Sequence, residues 1–400
     1  MTNWAGNVTY RAARRHRPST VDELRRIVAG ATRVRALGTG HSFTPLVDAP
    51  GGDLVSLAGL PSTMDIDTGA RTVRVAAGLR YGDVAPRLHE VGYALPNLAS
   101  LPHLSIAGAC ATGTHGSGDR LGTLATSVSA LELVTAGGDL LRLDRRDARF
   151  PGAVVALGTL GVVTHLTLDL VGAYEVAQHV YEGLPFDRLL ADLDAIFASA
   201  YSVSVFTDWA SPTVDVWVKR RTTDTPAPDL AAEARTPRHP IAGEPPGHCT
   251  PQLGEPGPWY ARLPHFRLEF TPSHGAELQS EYLVPRDRAV EALAALHAVR
   301  AAFAPLVLVG EIRTVAADDL WLSPAYRRDC LAIHWTWRPD EPGVRRALGR
   351  IEERLEPFTP RSHWGKLHHT PQWTRFPRRA DFAALRDALD PAGTFQLSTG

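Results

Sequence analysis

The sequence is poor in cysteine: Cys110, Cys249 and Cys330 stand far apart with no CxxC spacing, which excludes a disulfide framework and a thiolate zinc site. An excess of one charge is also missing, since 42 lysines and arginines stand against 43 aspartates and glutamates, a formal charge of -1. Nucleic acid is therefore not expected as a partner. No run of 18 apolar residues occurs, and Met1 to Thr9 do not lead from a basic into an apolar segment. Neither a membrane span nor export is expected, so the expected setting is cytoplasmic and the expected state monomeric. Walker, HExxH and GxSxG motifs are absent, which removes the commonest signatures of nucleotide hydrolases, zinc proteases and α/β-hydrolases. His368 and His369 are adjacent rather than a helical turn apart, so no metal site is expected.

What is present suits two domains with a core that needs no staples. Thr20 and Glu23 have capping-box spacing ahead of Leu24, Ile27 and Val28, and Gly30 is a stop, which predicts a helix. Strands are expected at Val34 to Leu37, Asp53 to Leu57, Thr72 to Ala76 and Val162 to Leu170, with a helix from about Gly82 to Val91. Leu131 to Thr135 and Leu140 to Leu143 flank Ala-Gly-Gly-Asp, a hairpin signal. Residues 222–258 hold nine prolines with little periodicity, a long loop expected to be functional or mobile. The class is α+β.

Two glycine-rich segments carry the chemical signal. Gly38-Thr39-Gly40-His41-Ser42-Phe43 follows a strand and delivers a histidine, but lacks the third glycine of a dinucleotide fingerprint. Taken alone, His41 is a solvated turn residue or a ligand. Residues 106–118 carry almost no large side chains, which suits either tight packing or backbone donors around a diphosphate. In Glu311-Ile312-Arg313 the charges share one strand face while Ile312 points away. Read locally they are a surface ion pair of little worth, or, because Leu306 to Val309 read as a buried strand, the lining of a polar cavity. His334 and Thr336 have the same period, and Lys366 after a Trp-Gly turn is exposed by default.

Together, Gly38 to Phe43, Ser56-Leu57-Ala58-Gly59-Leu60, Ser100-Leu101-Pro102-His103 and Gly108 to Gly118 resemble the FAD-binding half of the vanillyl-alcohol oxidase superfamily. Asn3-Trp4-Ala5-Gly6-Asn7, Glu311 to Asp318 and His363-Trp364-Gly365-Lys366 are similar to its alditol-oxidising branch. The resemblance implies an FAD-binding domain of two α+β subdomains over residues 1–171 and a substrate-binding cap with an antiparallel sheet over 172–349. Residues 350–400 are then a segment returning to the flavin. It implies FAD attached covalently to His41 through the 8α-methyl group. It places Leu37, Gly38, Thr39, Gly40, Ser42, Phe43, Ala99, Ser100, Ser105, Gly108, Thr112, Gly113, His115, Gly161, Val162, Val163 and His363 around the cofactor, with Ala99 small enough to govern oxygen access. Ser100, Glu311, Arg313, His334, Thr336 and Lys366 then bind the substrate, and Arg313 and Lys366 carry the chemistry. The activity implied is oxidation of the C1 hydroxyl of polyols such as xylitol and sorbitol, with O2 reduced to H2O2. Aldonolactone oxidation, or flavin or sugar binding without turnover, are the alternatives. Thr394 to Gly400 depart from the pattern, lacking the relatives' Lys-Phe run and flavin-proximal asparagine.

Overall fold

A computed structural model describes residues 1–225, 230–270, 277–370 and 373–397; Pro226, Pro228 and Ser398 to Gly400 lie outside these. Near the amino terminus β1 (Arg14–His16), β2 (Val34–Leu37) and β3 (Asp53–Ser56) form a parallel sheet in the order β1-β3-β2. Parallel neighbours need crossovers, and α1 (Val21–Ala29) lies on the one between β1 and β2. It begins and ends where the sequence predicts: Thr20 accepts from the Glu23 N–H, and Gly30 closes it. The Glu23 carboxylate accepts from the Ser19 N–H rather than from Thr20, which moves that half of the box one residue outward. Leu24 and Val28, fully buried, pack with Val34 and Val55.

A second, antiparallel sheet is built from β4 (Met64–Asp67), β5 (Thr72–Ala76), β6 (Val128–Val134), β7 (Leu140–Asp144) and β8 (Val162–Asp169), in the order β4-β5-β8-β6-β7. The expected hairpin is present, with Val134 opposite Leu140. The core of this sheet includes residues from α2 (Tyr81–Glu90) and α3 (Ile106–Ala111).

The third sheet dominates the second half of the chain. Its strands β9 (Glu175–Pro185), β10 (Ser202–Thr207), β11 (Thr213–Arg221), β12 (Leu278–Pro285), β13 (Val307–Val315) and β14 (Cys330–Trp337) run antiparallel in the order β9-β11-β10-β13-β14-β12. Short strands Ala232–Glu233 and Arg361–Ser362 pair with β9 and β12. One face buries Ile312, Trp335 and Trp337 against α4 (Ala289–Ala298) and α5 (Glu341–Leu355). Trp335 and Trp337 stack 5.9 Å apart. Because successive residues point to opposite faces, Glu311, Arg313, His334 and Thr336 emerge on the other face.

Residue 350 falls inside α5, which packs on the large sheet. Further on, α6 (Arg379–Leu389) places Phe382 and Leu385 in the core of the second sheet, and Phe395 packs with Leu24 and Val28. The Val34 N–H donates to Thr394 O at 2.8 Å. The buried Arg35 guanidinium donates to the carbonyls of Leu46, Leu157, Gly158 and Phe395, tying the last residues to the first sheet.

Candidate active site

A cavity of about 680 Å³ lies between the loop after β2 and the polar face of the large sheet, a size typical of cofactor sites. Leu37 ends β2, and Gly38 to Phe43 form one wall. The amino terminus braces that wall: the Trp4 N–H donates to Gly40 O, Asn3 Nδ2 donates to Ser42 O, and the Trp4 ring stacks on His41 at 5.3 Å. From the facing loop, Ser105 seals the seam, since a Cβ on Gly38 would stand 2.4 Å and one on Gly108 2.7 Å from its Oγ. A Cβ at either position would push this hydroxyl aside. His41 Nδ1 is buried with no partner among the described residues. Burial, and then His103, push the His41 pKa down to about 4, so its imidazole is neutral and nucleophilic at neutral pH.

The opposite wall is a ladder of polar side chains. Glu281 on β12, His334 on β14 and Glu311 on β13 stand directly opposite one another in register, forming one row across three strands. Glu281 is the hub: Oε1 accepts from Arg313 Nη2 at 2.5 Å and Oε2 from Lys366 Nζ at 2.6 Å. Lys366 also lies 2.9 Å from His334 Nδ1, and His334 Nε2 lies 3.1 Å from Thr336 Oγ1. Glu311 is met by His265 Nε2 at 2.8 Å. Desolvating isolated ions costs several kcal/mol each, so these buried charges come paired. Burial works against both carboxylates, but Arg313, with Lys366 at Glu281 and His265 at Glu311, holds their pKa values well below the usual range. The same burial, and the Arg313 charge beside it, push Lys366 down from its ordinary value.

Most residues named from the sequence converge here. Leu37 to Phe43, Ala99, Ser100, Ser105, Gly108, Thr112, Gly161, Val163 and His363 line the cavity, as do Glu311, Arg313, His334, Thr336 and Lys366. Two lie outside that lining. Gly113, at φ +66°, turns toward Pro324 and Val155. Val162 packs with Leu24 and Val28, because strand alternation gives the cavity to Val163 instead. His115 also lines the cavity, at the Glu281 end, its Nε2 3.2 Å from Glu281 Oε1. The ion pair at Glu311 and Arg313 is buried, not a surface pair. Part of the proline-rich loop, at His239 to Ile241, also lines the cavity.

Sequence reasoning missed Glu281, Gln279, His265 and Lys219. Glu281 and Gln279 carried a signal, since they alternate with Ser280 and Tyr282 as Glu311 and Arg313 do with Ile312. His265 sits in irregular chain without periodicity, and Lys219 heads a basic run that reads as a solvated strand end. Among the described residues no cluster of histidine, cysteine and carboxylate side chains could hold a metal ion, and no helix is long and apolar enough to cross a membrane.

The residues present fit FAD: a glycine-floored seam, an unpartnered imidazole and a long cavity ending on paired charges. Fold and site define an FAD-dependent oxidoreductase. Residues 12–144 match the FAD binding domain family, and residues 276–398 match the D-arabinono-1,4-lactone oxidase family. The fold is similar to that of a solvent-stable cholesterol oxidase, with a TM-score of 0.81 at 17% identity over 98% of this chain and 95% of that one. In sequence the chain is 51% identical to the alditol oxidase of Streptomyces sp. (strain IKD472 / FERM P-14339), over 99% of this chain and 96% of that protein. It is 30% identical to the L-gulono-1,4-lactone dehydrogenase of Mycobacterium tuberculosis, over 98% and 96%. The chain belongs to the alditol oxidase family of the vanillyl-alcohol oxidase superfamily.

Proposed function

We propose that the protein oxidises the terminal C1 hydroxyl of acyclic polyols such as xylitol and sorbitol to the aldose, with O2 reduced to H2O2 and FAD held covalently by His41. The observation that carries the substrate reading is the Glu281–His334–Glu311 row. At the usual strand spacing it extends roughly 10 Å, and Arg313, Thr336 and Lys366 flank it. A ladder alternating acceptors with donors suits a chain bearing a hydroxyl on every carbon. An analogue lacking those hydroxyls leaves the buried groups unpaired and is rejected.

FAD, when bound, accepts the hydride released from C1. The chain's own residues handle the proton and the charge. Hydride loss makes the C1 hydroxyl acidic, and a cation beside the nascent alkoxide stabilises it. Arg313 stays protonated throughout and serves only as that cation. Lys366, pushed down by burial, takes the hydroxyl proton when neutral, and the ammonium so formed is held by Glu281 and His334, both within 3 Å of its Nζ. Ser100 holds the substrate's far side, its backbone carbonyl fixed by the His265 N–H at 3.0 Å.

The match of residues 276–398 to a lactone oxidase family favours a second reading, oxidation of an aldonolactone. H2O2 release with xylitol, sorbitol and L-gulono-1,4-lactone, each under air and with an artificial acceptor, separates the two. Turnover with the polyols and none with the lactone is the expected result. Preference for the lactone overturns the first reading.

A further inference from the structure

Behind the ladder, on β11, Lys219 is 1% exposed, and among the described residues no carboxylate bonds it. Lysine is almost never fully buried unless paired. Its Nζ instead donates to Leu263 O at 2.5 Å, Pro264 O at 3.2 Å and His265 Nδ1 at 2.9 Å, which uses all three protons. His265 Nε2 then meets Glu311 Oε1 at 2.8 Å, and Glu311 Oε2 receives no hydrogen bond among the described residues. The chain Lys219–His265–Glu311 thus runs from the buried side of the site to the cavity and stops on a free acceptor.

A donor at Nδ1 and an acceptor at Nε2 determine which nitrogen carries the proton. We propose that Lys219 is a positioning residue: it keeps His265 neutral with its proton on Nε2, so that Glu311 stays anionic and offers Oε2 to a substrate hydroxyl. Glu311 is ionised in this arrangement, and burial together with the Lys219 charge pushes the His265 pKa down to about 4. Lys219 is itself brought down to about 7 by burial, against the pull of Glu311. The other groups facing it are Arg313, a fixed cation, and Cys249, whose thiol burial pushes up to about 12. Only Lys219 in this cluster changes charge near neutrality. Above that pH its amine accepts rather than donates, the His265 proton moves to Nδ1, and Glu311 loses its donor.

The kinetic part of this proposal rests on the polyol reading; the tautomer part does not. In the holoprotein labelled with 15N-histidine, the His265 signals, identified by their loss in His265→Gln, should show a neutral Nε2–H ring at pH 6. In Lys219→Met the ring should instead titrate with a raised pKa. Identical His265 signals in parent and variant across pH 5 to 9 would overturn the proposal. With xylitol, Lys219→Met and His265→Leu should raise KM about ten- to a hundredfold, the range usual for groups that orient a contacting residue, while the limiting rate of flavin reduction changes less than about threefold. The parent's loss of kcat/KM above about pH 7 should vanish in Lys219→Met. His265→Gln keeps an acceptor for Lys219 and a donor for Glu311, and should restore KM to within about threefold of the parent. Parental KM and pH profile in His265→Leu would overturn the proposal even if Lys219→Met failed to fold. No turnover of polyol by the parent would sink the substrate reading, and the NMR result would then decide this one.

Discussion

Glu281 Oε2 and Lys366 Nζ, 85 positions apart in sequence, lie within 2.6 Å of each other, and the same carboxylate also holds Arg313. Removing it leaves two buried cations facing each other, and breaking a buried pair in this way costs about 3–5 kcal/mol. Glu281→Gln should lower the unfolding free energy in urea by about that amount. The folded-state pKa lies below the ordinary 4.5, so this stabilisation is present above that pH and is lost as pH falls through the folded value. Thermal melts of parent and variant should differ at pH 7 and begin to converge only as pH falls below about 4.5 toward the lower folded value; a constant difference would show that the charge is not the cause.

Lys366 works as proton acceptor only when neutral. The rate of anaerobic flavin reduction by xylitol should therefore rise with pH, with an apparent pKa below the ordinary 10.5 because burial pushes Lys366 down. Lys366→Met should lose that dependence and react about a hundred- to a thousandfold slower with FAD still bound, the usual effect of removing one preorganised group. Stopped-flow reduction at the parental rate would remove Lys366 from the chemical step.

Attachment of FAD at His41 predicts that acid precipitation leaves the yellow colour in the pellet. A flavin-modified peptide containing His41 should appear by mass spectrometry. His41→Ala should release all flavin to the supernatant, and release from the parent would contradict the linkage.

Arg35 predicts a purely structural effect. Its guanidinium satisfies carbonyls from three separated segments, and each acceptor left unpaired costs about 1–3 kcal/mol. Arg35→Met should lower stability by more than about 3 kcal/mol and expose the end of the chain to protease. Parental resistance to digestion would show that the clamp is dispensable.

Much of this was legible from local pattern. Thr20 and Gly30 mark α1 because capping depends on neighbours in sequence, and the hairpin between β6 and β7 follows from its turn. Glu311 and Arg313 were placed on one face by the two-residue period, and burial followed from the apolar run before them. The centre of the site was not legible in that way. Glu281 matters because strand register sets it opposite His334, which is 53 residues away, and no local signal encodes that pairing. Lys219 opens the run Lys-Arg-Arg, and its burial depends on strands pairing on both sides and on distant residues, Leu263 to His265, meeting its ammonium. His41 stood out through its glycine frame and family resemblance. Asn3 and Trp4 were flagged by resemblance alone, and their role as a brace needed the folded chain.

The account stands or falls on whether a polyol whose hydroxyls lie along the Glu281–His334–Glu311 ladder gives up its C1 hydride to FAD. The most direct measurement is the visible spectrum of the purified protein under argon, before and after xylitol is added. The flavin band should bleach within the mixing time and return with H2O2 when air is admitted. A yellow spectrum unchanged by xylitol and by sorbitol, but bleached by L-gulono-1,4-lactone or by nothing, would contradict it.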